Sequence, residues 1–112
     1  MQVDTDGAVD FTAELVRIRS VNDPGAGTAE QQVADRVAEQ MRTFGWDPVI
    51  DDVAPGRPNV VAVLEGGAGP GRTLMLEGHT DVVTEGDRGD WSFDPMRATS
   101  LMVGCVGVGR PT

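Results

Sequence analysis

The chain has no lysine, one histidine (His79) and one cysteine (Cys105) among its 112 residues. A lone cysteine excludes an internal disulfide and a multi-thiolate zinc site. No run of about 18 apolar residues occurs, which excludes a transmembrane helix. The acidic N-terminus, MQVDTDGAVD, lacks the basic and apolar regions of a secretory signal. Positive charge is scarce, with nine arginines against 18 acidic residues and a net charge of −9. A phosphate backbone or an anionic lipid surface would repel such a chain, so neither nucleic acid nor membrane is an expected partner. These features together predict a cytoplasmic protein. What remains is 39% apolar residues, enough for one modest core in one small domain. The exclusive use of arginine, with abundant Ala, Gly and Val, points to a GC-rich coding sequence.

Hydrophobic spacing organises the first half. Phe11, Leu15 and Ile18 recur at i, i+4 and i+7 behind Asp10, predicting a helix over residues 11–19 that Asn22-Asp23-Pro24-Gly25 stops. A second helix follows from Thr28 and Gln31 in capping-box spacing and a stripe of Val33, Val37, Met41 and Phe44, with Gly45 at the C′ position. Three β-type runs come next, at residues 46–53, 59–64 and 73–76, separated by Pro55-Gly56-Arg57-Pro58 and by a glycine-rich stretch from Gly66 to Gly71. Beyond Asp81 the chain becomes polar through Glu85, Asp87, Asp90 and Asp94, a solvated loop onto which Trp91 and Phe93 pack. The expected fold class is α/β: two helices, then about three strands of a mixed sheet.

Gly66, Gly71, Arg72 and Thr73 imitate a phosphate-binding loop with arginine for lysine. Such a loop must open a helix, and here a β-type run follows, so a plain connecting loop is the better reading. The chemistry-bearing pair is His79 and Asp81, at the end of the apolar run Leu74-Met75-Leu76 and after Glu77-Gly78, where α/β folds present their sites. In extended chain, residues two apart project to one side. A carboxylate beside an imidazole fixes its tautomer and frees the other nitrogen for a metal. From spacing alone, a loop histidine next to an unrelated aspartate is the more frequent case, because H-x-D is short and common.

The longer string Thr73-Leu74-Met75-Leu76-Glu77-Gly78-His79-Thr80-Asp81-Val82-Val83, followed by Trp91-Ser92-Phe93-Asp94-Pro95, resembles the first metal-site motif of a zinc-dependent amidohydrolase and peptidase family. That family includes acetylornithine deacetylase, succinyl-diaminopimelate desuccinylase, aminoacylase and carboxypeptidase G. Leu15-Val16-Arg17-Ile18 with Ser20-Val21-Asn22 resembles its first helix and following loop, and Asn59-Val60-Val61-Ala62 its second strand. The resemblance covers residues 10–95 and implies the N-terminal part of a zinc-peptidase-like catalytic domain. It makes His79 a ligand of one zinc in a two-zinc site, where cobalt or manganese could substitute, and Asp81 the catalytic-site acid that orients His79. The substrate it implies is an N-acyl amino acid or small peptide cleaved at an amide bond. The remaining ligands and the general base have no counterpart here, so this chain alone is expected to be inactive. Oligomeric state and the particular substrate are not legible. A non-catalytic remnant or partner-binding module using an exposed sheet edge is the alternative.

After Pro95 the composition changes abruptly: net charge goes from −11 in residues 1–95 to +2 in residues 96–112. With suitable synonymous codons, the tail MRATSLMVGCVGVGRPT shifted by two bases reads AGDIADGRLCGRGSADM. This resembles the family's continuation, D-G-R-L-x-G-R-G-x-A-D-M, which carries its metal-bridging aspartate. The expectation is a partial catalytic domain over residues 1–95 and a disordered, frameshifted tail over 96–112, in which Cys105 has no selected role.

Overall fold

The structure is a computed structural model and describes residues 2–23, 25–27, 30–101 and 104–106. Helix α1 spans Thr5–Arg17 and helix α2 spans Glu30–Thr43. Strands β1 (Val49–Ala54) and β2 (Arg57–Val61) form an antiparallel hairpin. A second antiparallel pair joins β3 (Thr99–Leu101) to β4 (Gly104–Val106).

Helix α1 begins six residues before the expected start. The cap is Asp4, not Asp10: its carboxylate accepts from the Gly7 N–H at 2.9 Å. Several aspartates precede the apolar stripe, and the earliest competent one wins because each added turn gains hydrogen bonds after nucleation is complete. The helix ends at Arg17, where Ile18 is already extended, so Asn22-Asp23 lies in the loop beyond it. Helix α2 ends as the sequence requires. Gly45 has φ +77°, its N–H donates to the Arg42 carbonyl, and the Trp46 N–H reaches back to the Met41 carbonyl, closing a Schellman turn. Thr28, expected in the capping box, lies outside the described residues. Phe44, expected on the buried stripe, stacks instead on Trp46 at a ring separation of 5.3 Å and stays largely exposed.

Helix α2 packs on β1 and β2, and α1 on β3 and β4. The buried apolar side chains are small: Ala13, Val21, Val33, Ala34, Ala38 and Ala98, with Pro95 fully enclosed. Arg36 links the two helices, pairing with Glu14 at 2.6 Å and covering the Phe11 ring at 4.8 Å. Glu30, buried at the start of α2, receives the Arg57 guanidinium from β2 at 3.2 Å.

The expected mixed sheet of three strands is not formed among the described residues. The run at residues 73–76 is not a strand, and Leu74, Met75 and Leu76 are 82, 75 and 87% exposed. A strand exists only through a partner for its N–H and C=O groups, and no described segment pairs with this one. No helix follows Gly71, in keeping with a connecting loop and not a phosphate loop. Of the tail expected to be disordered, the described part includes β3 and β4, and Arg17 donates to the carbonyls of Arg97 and Ala98 at 3.1 and 3.3 Å. No helix is long and apolar enough to cross a membrane among the described residues.

Candidate functional site

His79 sits on the extended stretch that follows the exposed Leu74-Met75-Leu76 run, not at the end of a paired strand. The i, i+2 relation nonetheless brings His79 and Asp81 together. Nδ1 of His79 lies 2.8 Å from the main-chain carbonyl oxygen of Asp81 and 3.3 Å from its carboxylate Oδ1. A carbonyl can only accept, so in the neutral ring Nδ1 carries the proton and Nε2 keeps the lone pair. The imidazole is 84% exposed, which leaves that lone pair accessible. The nearer contact of Asp81 with His79 is thus its backbone carbonyl and the carboxylate is the more distant one, where the sequence pointed to the carboxylate alone. Glu77 is exposed. Gly78 faces open space on the side where a side chain would stand.

The segment after Asp81 is fastened to the exit of α1. Val82 donates its N–H to the Ser20 carbonyl at 3.1 Å, making a parallel bridge between Val21 and Val82. Arg19 Nη1 donates to both carboxylate oxygens of Glu85 at 2.6 and 2.7 Å, and Arg88 Nε approaches the same carboxylate at 3.4 Å. The Arg19 hydrogen bonds and the main-chain N–H of Glu85 hold this carboxyl well below the usual range, at about 2, against a smaller opposing effect of desolvation. Arg19 is raised from its ordinary value, chiefly by the same hydrogen bond.

The acidic loop is more ordered than its composition implies. Asp87 caps a 3₁₀ turn at Arg88–Asp90 by accepting from the Gly89 N–H, and Asp94 accepts from the Met96 N–H. Trp91 donates its indole N–H to the Glu85 carbonyl at 2.8 Å and meets Phe93 edge to face at 5.5 Å, the packing role expected of both rings. Sequence reading missed Arg19 and Glu85, because no local pattern joins residues 66 apart.

Among the described residues no three His, Cys, Asp or Glu side chains converge to hold a metal ion. The exposed Nε2 of His79 is a single nitrogen of a metal-binding type, and one such donor does not make a complete centre.

The similarity of this chain to known proteins places it beside metallohydrolases of the deacetylase and desuccinylase type, over a partial N-terminal region, in agreement with the family that its motifs resemble. In particular it is 36% identical over 80 residues to acetylornithine deacetylase of Vibrio vulnificus, covering 71% of this chain and 20% of that protein. It is 33% identical over 87 residues to a probable succinyl-diaminopimelate desuccinylase of Staphylococcus epidermidis, covering 78% of this chain and 20% of that protein. With an uncharacterized metallohydrolase of Methanococcus maripaludis it shares 26% identity over 104 residues, covering 83% of this chain and 25% of that protein. The chain thus spans about a fifth of the length of the first two relatives. No family model matches it.

Proposed function

We propose that this chain is the N-terminal part of the catalytic domain of a two-zinc metallohydrolase that cleaves an amide bond of N-acyl amino acids or small peptides. His79 is one metal ligand and Asp81 the residue that orients it. The observation carrying this reading is the Nδ1 contact to Asp81, which leaves Nε2 exposed in a chain similar to deacetylase and desuccinylase relatives. Because the described residues contain one ligand and no complete centre, no catalytic step is assigned to them, and the isolated 112-residue polypeptide is inactive under this proposal.

The test is a zinc titration of the ¹⁵N-labelled chain. Structural zinc held by four ligands contributes about 10–16 kcal/mol, so one imidazole contributes about 2.5–4 and gives a Kd of about 1–10 mM. A zinc-dependent shift at His79 Nε2 in that range, absent in His79→Ala, supports the assignment. No shift at His79, or hydrolysis of N-acyl amino acids by the isolated chain, defeats it. The proposal also holds that residues 1–95 are the selected part and that 96–112 are translated out of frame. Resequencing the DNA from codon 90 onward decides this, because a single-base correction should open a frame reading D-G-R-L.

A second reading is a non-catalytic module that binds another chain through its unpaired apolar segment, favoured by the exposure of Leu74, Met75 and Leu76. It requires a stable, stoichiometric complex of the purified chain in size-exclusion chromatography with light scattering.

A further inference from the structure

His79 and Asp81 lie where no sheet holds them, yet the peptide group that orients the imidazole is itself held. The carbonyl of Asp81 and the N–H of Val82 belong to one planar trans peptide unit, so fixing the direction of one fixes the other. The N–H is directed at the Ser20 carbonyl at 3.1 Å, and the carbonyl receives His79 Nδ1 at 2.8 Å. Three residues further on, Glu85 returns to Arg19, the neighbour of Ser20, with both carboxylate oxygens engaged at 2.6 and 2.7 Å. The Glu85 side chain is only 10% exposed, and its own carbonyl takes the Trp91 indole N–H. Two adjacent residues at the end of α1 therefore grip the chain at positions 82 and 85.

We propose that Glu85 is a positioning residue for His79. Paired with Arg19, it clamps the segment after Asp81 to the exit of α1, holds the Asp81–Val82 peptide plane, and so keeps the imidazole as the Nδ1–H tautomer with Nε2 free. The inference rests on the reading of Nε2 as the metal-facing nitrogen, but the clamp itself needs no metal. A charge-assisted pair suits this task because its contacts, both made by the single nitrogen Nη1, are shorter and stronger than a neutral hydrogen bond at the surface. Arg88 supplements the pair at 3.4 Å, and Trp91 against Phe93 closes the loop from the other side.

The test uses the full 112-residue chain, ¹⁵N-labelled, at mildly alkaline pH. Two quantities are read: the ratio of Nδ1–H to Nε2–H tautomers from the imidazole ¹⁵N shifts, and the exchange rate of the Val82 amide. Glu85→Gln should lower the tautomer ratio by at least about threefold and speed Val82 exchange by about tenfold. The charge reversal Arg19→Glu with Glu85→Arg should restore both to within about twofold of the parent, as a re-formed pair would. Glu14→Gln, which breaks the Arg36 pair between the helices, should leave both unchanged. Should Glu85→Gln lose its far-UV circular dichroism, Arg19→Gln reads the same clamp from its exposed partner. Parent-like tautomer ratio and Val82 exchange in the clamp variants overturn the proposal, as does a charge reversal that restores neither. If zinc produces no shift at His79 while the clamp effects persist, the metal reading falls and the positioning role stands.

Discussion

Replacing Val33 by alanine should cost more stability than replacing Leu76 by serine, the reverse of the order that side-chain hydrophobicity alone suggests. Val33 on α2 is only 3% exposed, and among the buried apolar side chains it and Val21 are the largest. Truncation removes two methyl groups at about 0.8 kcal/mol each, and the residual cavity raises the total to about 2–2.5 kcal/mol. For a domain this small, that lowers Tm by about 8–20 °C. Leu76 belongs to the most apolar run near the candidate site but is 87% exposed, so Leu76→Ser should change stability by less than about 0.5 kcal/mol. Thermal and urea unfolding followed by far-UV circular dichroism measure both. Equal destabilisation by the two substitutions would mean that Leu76 is packed in solution and would refute the arrangement in which residues 73–76 lack a partner. A neutral Val33→Ala would show that the core does not lie between α2 and the hairpin.

Three further outcomes follow from local geometry. Gly45→Ala places a Cβ at φ +77° and should cost about 1 kcal/mol, read as a lower unfolding midpoint with an unchanged m-value. Asp4→Ala removes the acceptor for the Gly7 N–H and should also cost about 1 kcal/mol, with helical signal lost from the first turn of α1. Glu85 has its carboxyl lowered to about 2, so its attachment is complete above the ordinary carboxylate range and is lost as pH falls through about 2. The charged groups facing it are Arg19 and Arg88, with Asp23 near the first and Asp94 near the second. Trp91 fluorescence should report this release in the parent chain and show no such step in Glu85→Gln.

What was legible in the sequence was local. The end of α2 follows from Gly45, because only a residue tolerant of positive φ closes that turn, and the His79–Asp81 contact follows from extended-chain geometry two residues apart. The start of α1 was not legible, since Asp4, Asp6 and Asp10 all qualify as caps and the choice depends on the whole helix. The run at 73–76 has the composition of a buried strand, but composition supplies no partner, and pairing is a property of two segments. The Arg19–Glu85 clamp left no trace in either neighbourhood, because it is a long-range consequence of where α1 ends.

The absence of lysine gives the long unpaired stretch from 62 to 81 a practical consequence. Trypsin cuts only after arginine in this chain, and Arg57 is followed by proline, so Arg72 is the one accessible cleavage point between Arg42 and Arg88. Digestion at Arg72 separates a helix-and-hairpin part from a part bearing His79. The Val82–Ser20 hydrogen bond and the Arg19–Glu85 pair cross that cut, so the two parts should migrate together until denatured, making the histidine-bearing segment exchangeable for a synthetic peptide.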